Sequence, residues 1–246
     1  MKTLLVDNSN SRTKFALASP EGLTTWRETL PTLSLTADSI RALLPSDATH
    51  ATICSVVPHK SKLLAETCQS AGLATHTISH QSKLPIQIDY PTPSQIGPDR
   101  LANAAALVPL AQSTIVIDFG TAVTFDVVSS TNNGTYLGGV IAPGLAALLD
   151  YLPSKTALLP QIELAEPPAA IGKSTEHAMQ VGAVIGYRGL IREILAQLRL
   201  ELPDTPLILA TGGDASLLAA KLPEIQNVDP DLTLNGILKI ARLNHP

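Results

Sequence analysis

The chain reads as an α/β protein of two halves, each opening on three meandering strands and continuing with alternating helix and strand. Three observations predict this. An apolar run ending in an acid, LLVD at 4–7, returns as IVID at 115–118. Each run leads through a short polar loop into a second apolar segment, so that Asp7 and Thr13 align with Asp118 and Thr124, both 111 residues later. Between and after these openings, segments of strand length alternate with longer ones of helical period. An apolar share of 45% against 15% charged supplies a core for such a fold.

Residues 3–7 form the first strand, and 13–18 and 22–30 follow as strands joined by a turn at 20–22. The pattern then predicts a helix over 36–44, a strand over 50–57, a helix over about 59–72 stopped by Gly72, and a strand over 74–78. Four prolines between Pro85 and Pro98 predict an ordered arm without regular structure. Gly97 as cap and Pro98 as first helical residue open an apolar helix reaching 110. The second half repeats the strand–loop–strand opening over 114–128, turns at Asn133-Gly134 and adds a strand over 136–144. Helical periodicity over 174–200, a strand at 207 leading into TGGD, a helix from near Asp214 and an apolar helix over 232–243 complete it.

Seventeen basic and 21 acidic residues give a net charge of −4, so no basic field exists to hold a polyanion, and nucleic acid is not an expected partner. A small phosphorylated ligand remains compatible, because backbone amides and a few local cations suffice to bind it. Cys54 and Cys68 are too few for a disulfide scaffold, and the six histidines show no zinc spacing. No run approaches the roughly 18 apolar residues of a membrane span, and the opening apolar stretch falls short of a signal segment. No membrane partner and a cytoplasmic setting are therefore expected.

Four motifs carry candidate chemistry. The loop DNSNSRTK (7–14) sets Asn8, Ser9, Asn10, Ser11, Arg12, Thr13 and Lys14 after a strand-end acid, a pattern that suits either a phosphate-binding turn or a polar hairpin. DFGTA (118–122) has the same form, so two such loops could clamp a phosphate chain. In TGGDA (211–215) paired glycines allow a flat ligand such as adenosine to approach, or serve only a tight turn with Asp214 as N-cap. GPDR (97–100) places Asp99 in a helix's first turn, where the dipole favours the ionised carboxylate; that suits a general base and equally a plain helix start. Walker, dinucleotide-binding and nucleophile-elbow motifs are absent.

In order, DNSNSRTK, GPDR, DFGTA, GGVIAPG (138–144), GKST (172–175), TGGDA and DLTLNGI (231–237) resemble the motifs of type III pantothenate kinases over nearly the whole chain. The resemblance implies two ribonuclease-H-like halves of the actin-like ATPase kind, at 1–112 and 113–246, each a mixed five-stranded sheet with helices, with the active site in the cleft between them. It implies phosphorylation of pantothenate by ATP with Mg2+ to 4′-phosphopantothenate, the first step toward coenzyme A. By motif, Asp7 to Lys14 and Thr121 match ATP phosphate contacts and Asp118 a monovalent-cation ligand for potassium or ammonium. Asp99 matches the general base, while Tyr90, Gly97, Pro98, Asp99, Arg100 and Thr175 match the pantothenate site. The family form is a homodimer, with Thr175 supplied across the interface. Family members carry glycine where this chain has Ser9; a positive φ there would cost a serine about 1 kcal/mol or more. The competing readings are a non-catalytic regulatory relative and a kinase of another small alcohol.

Overall fold

The computed structural model describes residues 2–245. Strand β1 (Thr3–Asn8) is buried along its whole length, with β2 (Arg12–Ser19) antiparallel on one side and β4 (His50–Ser55) parallel on the other. With β3 (Gly22–Pro31) and β5 (Ala74–Thr77) at the edges, the order is β3-β2-β1-β4-β5. Because side chains alternate across a strand, β1 feeds two cores. Leu4 and Val6 join Phe15, Ile53 and residues of helices α1 (Ala37–Leu43) and α2 (Pro58–Ser70). Leu5 joins Ala16 and Cys54 under helices α3 (Pro98–Leu107) and α8 (Leu232–Asn244). A capping box between Thr36 and Ser39 starts α1, and Gly72 at φ +85° follows the end of α2, as its sequence position predicted.

Helices α3 and α8 cross at Gly236, where an added Cβ would lie 1.8 Å from the Ala102 carbonyl oxygen. Only glycine permits that approach, which explains the glycine of the DLTLNGI segment.

The second sheet contains β7 (Thr114–Phe119), β8 (Ala122–Ser129), β9 (Thr135–Pro143), β10 (Leu207–Thr211) and β11 (Asn227–Val228). Its order, β11-β10-β7-β8-β9-β6, repeats that of the first sheet and then adds a strand. The addition is β6 (Gln87–Ile88), from the proline-rich arm, pairing parallel with β9. The arm was expected to carry no regular element and the sheet to have five strands; both expectations are corrected by this short strand, which lies between the arm's prolines.

The duplication holds with one adjustment. Starts of β1 and β7 are 111 residues apart, at Thr3 and Thr114, whereas β2 and β8 start 110 apart, at Arg12 and Ala122. The second loop is one residue shorter, so Thr124 matches Lys14, Val123 matches Thr13, and Phe125 matches Phe15. Burial confirms the register, with both strands opening exposed, buried, half-buried, buried. The alignment of Thr124 with Thr13 is therefore corrected.

Further elements are α4 (Leu145–Lys155), α5 (Thr175–Val181), α6 (Tyr187–Leu200) and α7 (Ala215–Ala219). The helical stretch expected over 174–200 widens into a π turn over Gly182–Gly186. The chain forms two compact units, one made of the residues to Ala111 with Asp126–Gly138 and the stretch from Asp231 onward, the other of Gln112–Phe125 and Gly139–Pro230. The first boundary lies beside residue 112, and two later stretches rejoin the first unit. No helix among the described residues is long and apolar enough to cross a membrane.

Candidate active site

In the first unit, the 7–14 loop divides into a buried frame and an exposed crest. Asn8 is the frame's centre: its Nδ2 donates to Thr13 Oγ1 at 2.6 Å and its Oδ1 accepts from Ser55 Oγ at 2.6 Å. Thr32 adds a hydroxyl bond to the Ser9 carbonyl at 2.7 Å. Ser9 closes the turn through its amide and its hydroxyl, both donating to the Arg12 carbonyl, at 3.1 and 2.9 Å. The non-glycine residues at positive φ among those described are Asn132 and Asn133, so Ser9 carries none of the strain that a left-handed position would impose. Asn10, Ser11 and Arg12 are exposed on the crest, and Lys14 lies 3.7 Å from the nearly buried Asp7.

Helix α3 presents GPDR as expected, with Gly97 at the N-cap and Pro98 first in the helix. Asp99 curls back over Gly97, where a Cβ would sit 2.4 Å from Asp99 Oδ1, and that oxygen accepts from the Arg100 amide at 2.8 Å. Glycine here is what allows the carboxylate its place. Burial raises the Asp99 pKa above its ordinary value, although the Arg100 amide and charge pull the other way. The helix start alone suggested a carboxylate held low; desolvation wins instead, which makes the carboxylate a better proton acceptor. The Asp7 and Asp99 carboxylates both act on the buried Cys54 thiol of β4, adding to the upward push of its burial. One acid of the first loop and one of GPDR thus both act on the same residue of β4.

Behind GPDR stands a network that sequence reasoning missed. Asp126 of β8 is fully buried and accepts from Arg100 Nε at 2.6 Å, Asn103 Nδ2 at 3.3 Å and Tyr136 hydroxyl at 3.4 Å. Burial lifts its pKa to about 7 against the opposing pull of Arg100. The Arg100 guanidinium carbon lies 5.8 Å from the centre of the Tyr136 ring. Tyr90 neighbours Tyr136 and leans on Gly138, where a Cβ would come within 3.2 Å of its ring. A charged residue inside the apolar run VTFDVV was the available signal.

In the second unit, three loops converge. Gly120 closes a tight turn by donating to the Ala122 carbonyl at 3.1 Å, which leaves Thr121 exposed. A Cβ on Gly144 would come within 2.5 Å of the Gly120 and Thr121 carbonyls, and one on Gly212 within 2.5 Å of Asp118 Oδ1 and the Phe119 carbonyl. Gly212 has φ +97°, so glycine is required there on both counts. Asp118 Oδ1 and the Phe119 carbonyl thus both face Gly212, and oxygen atoms of this kind are what a hard cation takes. Asp214 occupies the N-cap position of α7, as one reading of TGGDA placed it, with no capping bond from its side chain. Thr175 begins α5 after Ser174, which caps the helix, and lines an apolar groove of about 590 Å³ with Leu148, Leu152 and Met179.

The family model described as type III pantothenate kinase matches residues 3–197. The chain belongs to the type III pantothenate kinase family. A type III pantothenate kinase of Akkermansia muciniphila is 50% identical over 99% of this chain and all of its own. One from Roseiflexus is 36% identical over 98% of both. Among solved structures, a glucokinase from an Antarctic psychrotroph aligns with a TM-score of 0.54 at 12% identity, covering 100% of this chain and 99% of its own. An ethanolamine utilization protein from Carboxydothermus hydrogenoformans aligns at 0.55 and 16% identity, covering 99% and 90%. At such identities these two establish the shared sugar-kinase and actin-like fold alone.

Proposed function

We propose that the protein transfers the γ-phosphoryl group of ATP to the hydroxyl of pantothenate, forming 4′-phosphopantothenate, with Asp99 as general base. The observation that carries this is the Asp99 carboxyl: half-buried, raised in pKa, fixed over a glycine, and acting together with Asp7 of the first loop on Cys54 of β4. Phosphoryl transfer passes through a loose transition state in which positioning dominates, so a carboxylate that orients the hydroxyl and takes its proton late is the residue the chemistry needs. Asp7 to Lys14 and Thr121 hold the ATP phosphates, with the exposed crest and Lys14 facing the anion while Asn8 and Thr13 keep the loop's shape. Tyr90, Gly97, Pro98, Arg100 and Thr175 bind pantothenate.

Asp118 is the ligand for potassium or ammonium. When bound, that ion and Mg2+ add positive charge against the charge developing on the phosphate oxygens. The two ribonuclease-H-like halves are residues 1–112 and 113–246, and the setting is the cytoplasm. The active form is a homodimer, supported by apolar side chains exposed around the Thr175 groove and nearby: Tyr151 at 60%, Leu158 at 91% and Ile171 at 70%.

ADP release on mixing with ATP and pantothenate tests the reading, in potassium, ammonium and sodium. Turnover that requires pantothenate and is faster in potassium or ammonium is expected. Turnover without pantothenate dependence would overturn the substrate, and equal rates in all three salts would overturn the role of Asp118.

A further inference from the structure

We infer that Asp126 is a positioning residue for pantothenate binding, holding the Arg100 guanidinium in the orientation that receives the substrate's anionic end. The inference rests on the reading of Arg100 as a substrate contact.

Arg100 is third in α3, where the helix N-terminus repels a cation, and it is only 9% exposed. Helix stability gives no reason for an arginine there. Asp126 meets it from β8 and is itself held on both oxygens. Oδ1 accepts from Arg100 Nε and the Tyr136 hydroxyl, and Oδ2 from Asn103, whose own Oδ1 accepts from Thr233 of α8 at 2.8 Å. Side chains from α3 and β9 therefore converge on the one carboxylate of β8, with Thr233 of α8 fixing Asn103 from behind.

The fold does not demand an acid at this position. In the duplicated strand the equivalent residue is Ala16, equally buried and apolar. A buried ion pair is also a weak source of net stability compared with apolar packing, so orientation is what the arrangement supplies. With Nε pinned by Asp126 and the guanidinium set against the Tyr136 ring, the edge bearing the two Nη groups has a defined direction. An arginine so oriented meets a carboxylate without first giving up its rotational freedom.

The test is a double-mutant cycle on Asp126→Asn and Arg100→Lys, with steady-state kinetics for both substrates and NMR of the Arg100 Nε–H. Asp126→Asn should raise KM for pantothenate on the order of tenfold. KM for ATP and kcat should stay within about twofold, since Asp126 acts on one substrate's cation. The Nε–H signal should be protected from exchange in the wild type and lost in the variant. In the Arg100→Lys background the same change should add little, because a residue acting through Arg100 has nothing left to orient. An unchanged KM for pantothenate, equal rises for both substrates, or independent effects in the cycle would each overturn the role. Absence of pantothenate turnover in the wild type would instead overturn the underlying functional reading, and the role with it. Should Asp126→Asn fail to fold, Asn103→Ala keeps the ion pair but frees Oδ2; a rise of a few-fold in KM for pantothenate alone is expected, and no rise contradicts the inference.

Discussion

The pair β1–β2 and the pair β7–β8 share one backbone pattern and carry different chemistry. Both set a buried apolar strand, an acid at or next to its end, a tight polar loop and a returning strand with the same burial rhythm. In the first copy the loop is framed by Asn8, Thr13, Thr32 and Ser55, and the returning strand carries apolar Ala16 inward. In the second the loop is one residue shorter and closes on Gly120, and the returning strand carries Asp126 inward onto Arg100. The sheet supplies positions, and a single inward residue decides whether a position belongs to the core or to the site.

The largest effect should come from making the copies alike. Ala16→Asp puts a carboxylate in the first core, among Leu5, Cys54 and Ile237, with none of the partners Asp126 has. A loss of about 3 kcal/mol or more is expected in denaturant unfolding, comparable to an uncompensated buried charge. Near-wild-type stability would show that the two environments differ less than their contacts suggest.

Asp99→Asn should reduce kcat on the order of 10²-fold while leaving the melting temperature and ATP affinity nearly unchanged. Since the base must be deprotonated to accept a proton, activity should fall as pH drops through the Asp99 pKa, which burial places above the ordinary carboxylate value. The variant should lose that acid limb. A stability loss of about 0.3–1 kcal/mol with the rate intact would reduce Asp99 to a helix-start residue.

Asn8→Ala leaves the Thr13 and Ser55 hydroxyls without their shared partner and should cost about 1–3 kcal/mol, with a raised KM for ATP as the crest loses its frame. The smallest change is expected from Ser9→Gly. Because Ser9 is not at positive φ, glycine relieves no strain; it gives up the hydroxyl bond to Arg12 and adds unfolded-state freedom, a loss of about 0.4–1 kcal/mol. A gain in stability would reinstate the strained-serine reading.

The duplicated opening was legible because an apolar run ending in an acid survives duplication as a visible string. The GPDR helix start was legible too, since Gly97 and Pro98 have position-specific geometry. The shift from 111 to 110 was not, because Thr13 and Thr124 are the same residue type and only burial shows that Thr124 corresponds to Lys14. Strand β6 escaped because two paired residues between prolines leave no period to read. Asp126 escaped for a different reason: its partners lie on α3 and β9, and the Thr233 that holds its partner Asn103 lies on α8, so the network exists only once distant segments pack. Family resemblance reached the residues proposed to touch substrate and stopped short of Asp126, the residue inferred to orient one of them.

The most direct measurement of the whole account is a structure with a non-hydrolysable ATP analogue and pantothenate bound together. The pantothenate hydroxyl should lie within hydrogen-bond reach of an Asp99 carboxylate oxygen, about 2.6–3.2 Å, with the analogue's phosphates along the 10–12 crest. A hydroxyl directed away from Asp99, or phosphates remote from that crest, would contradict it.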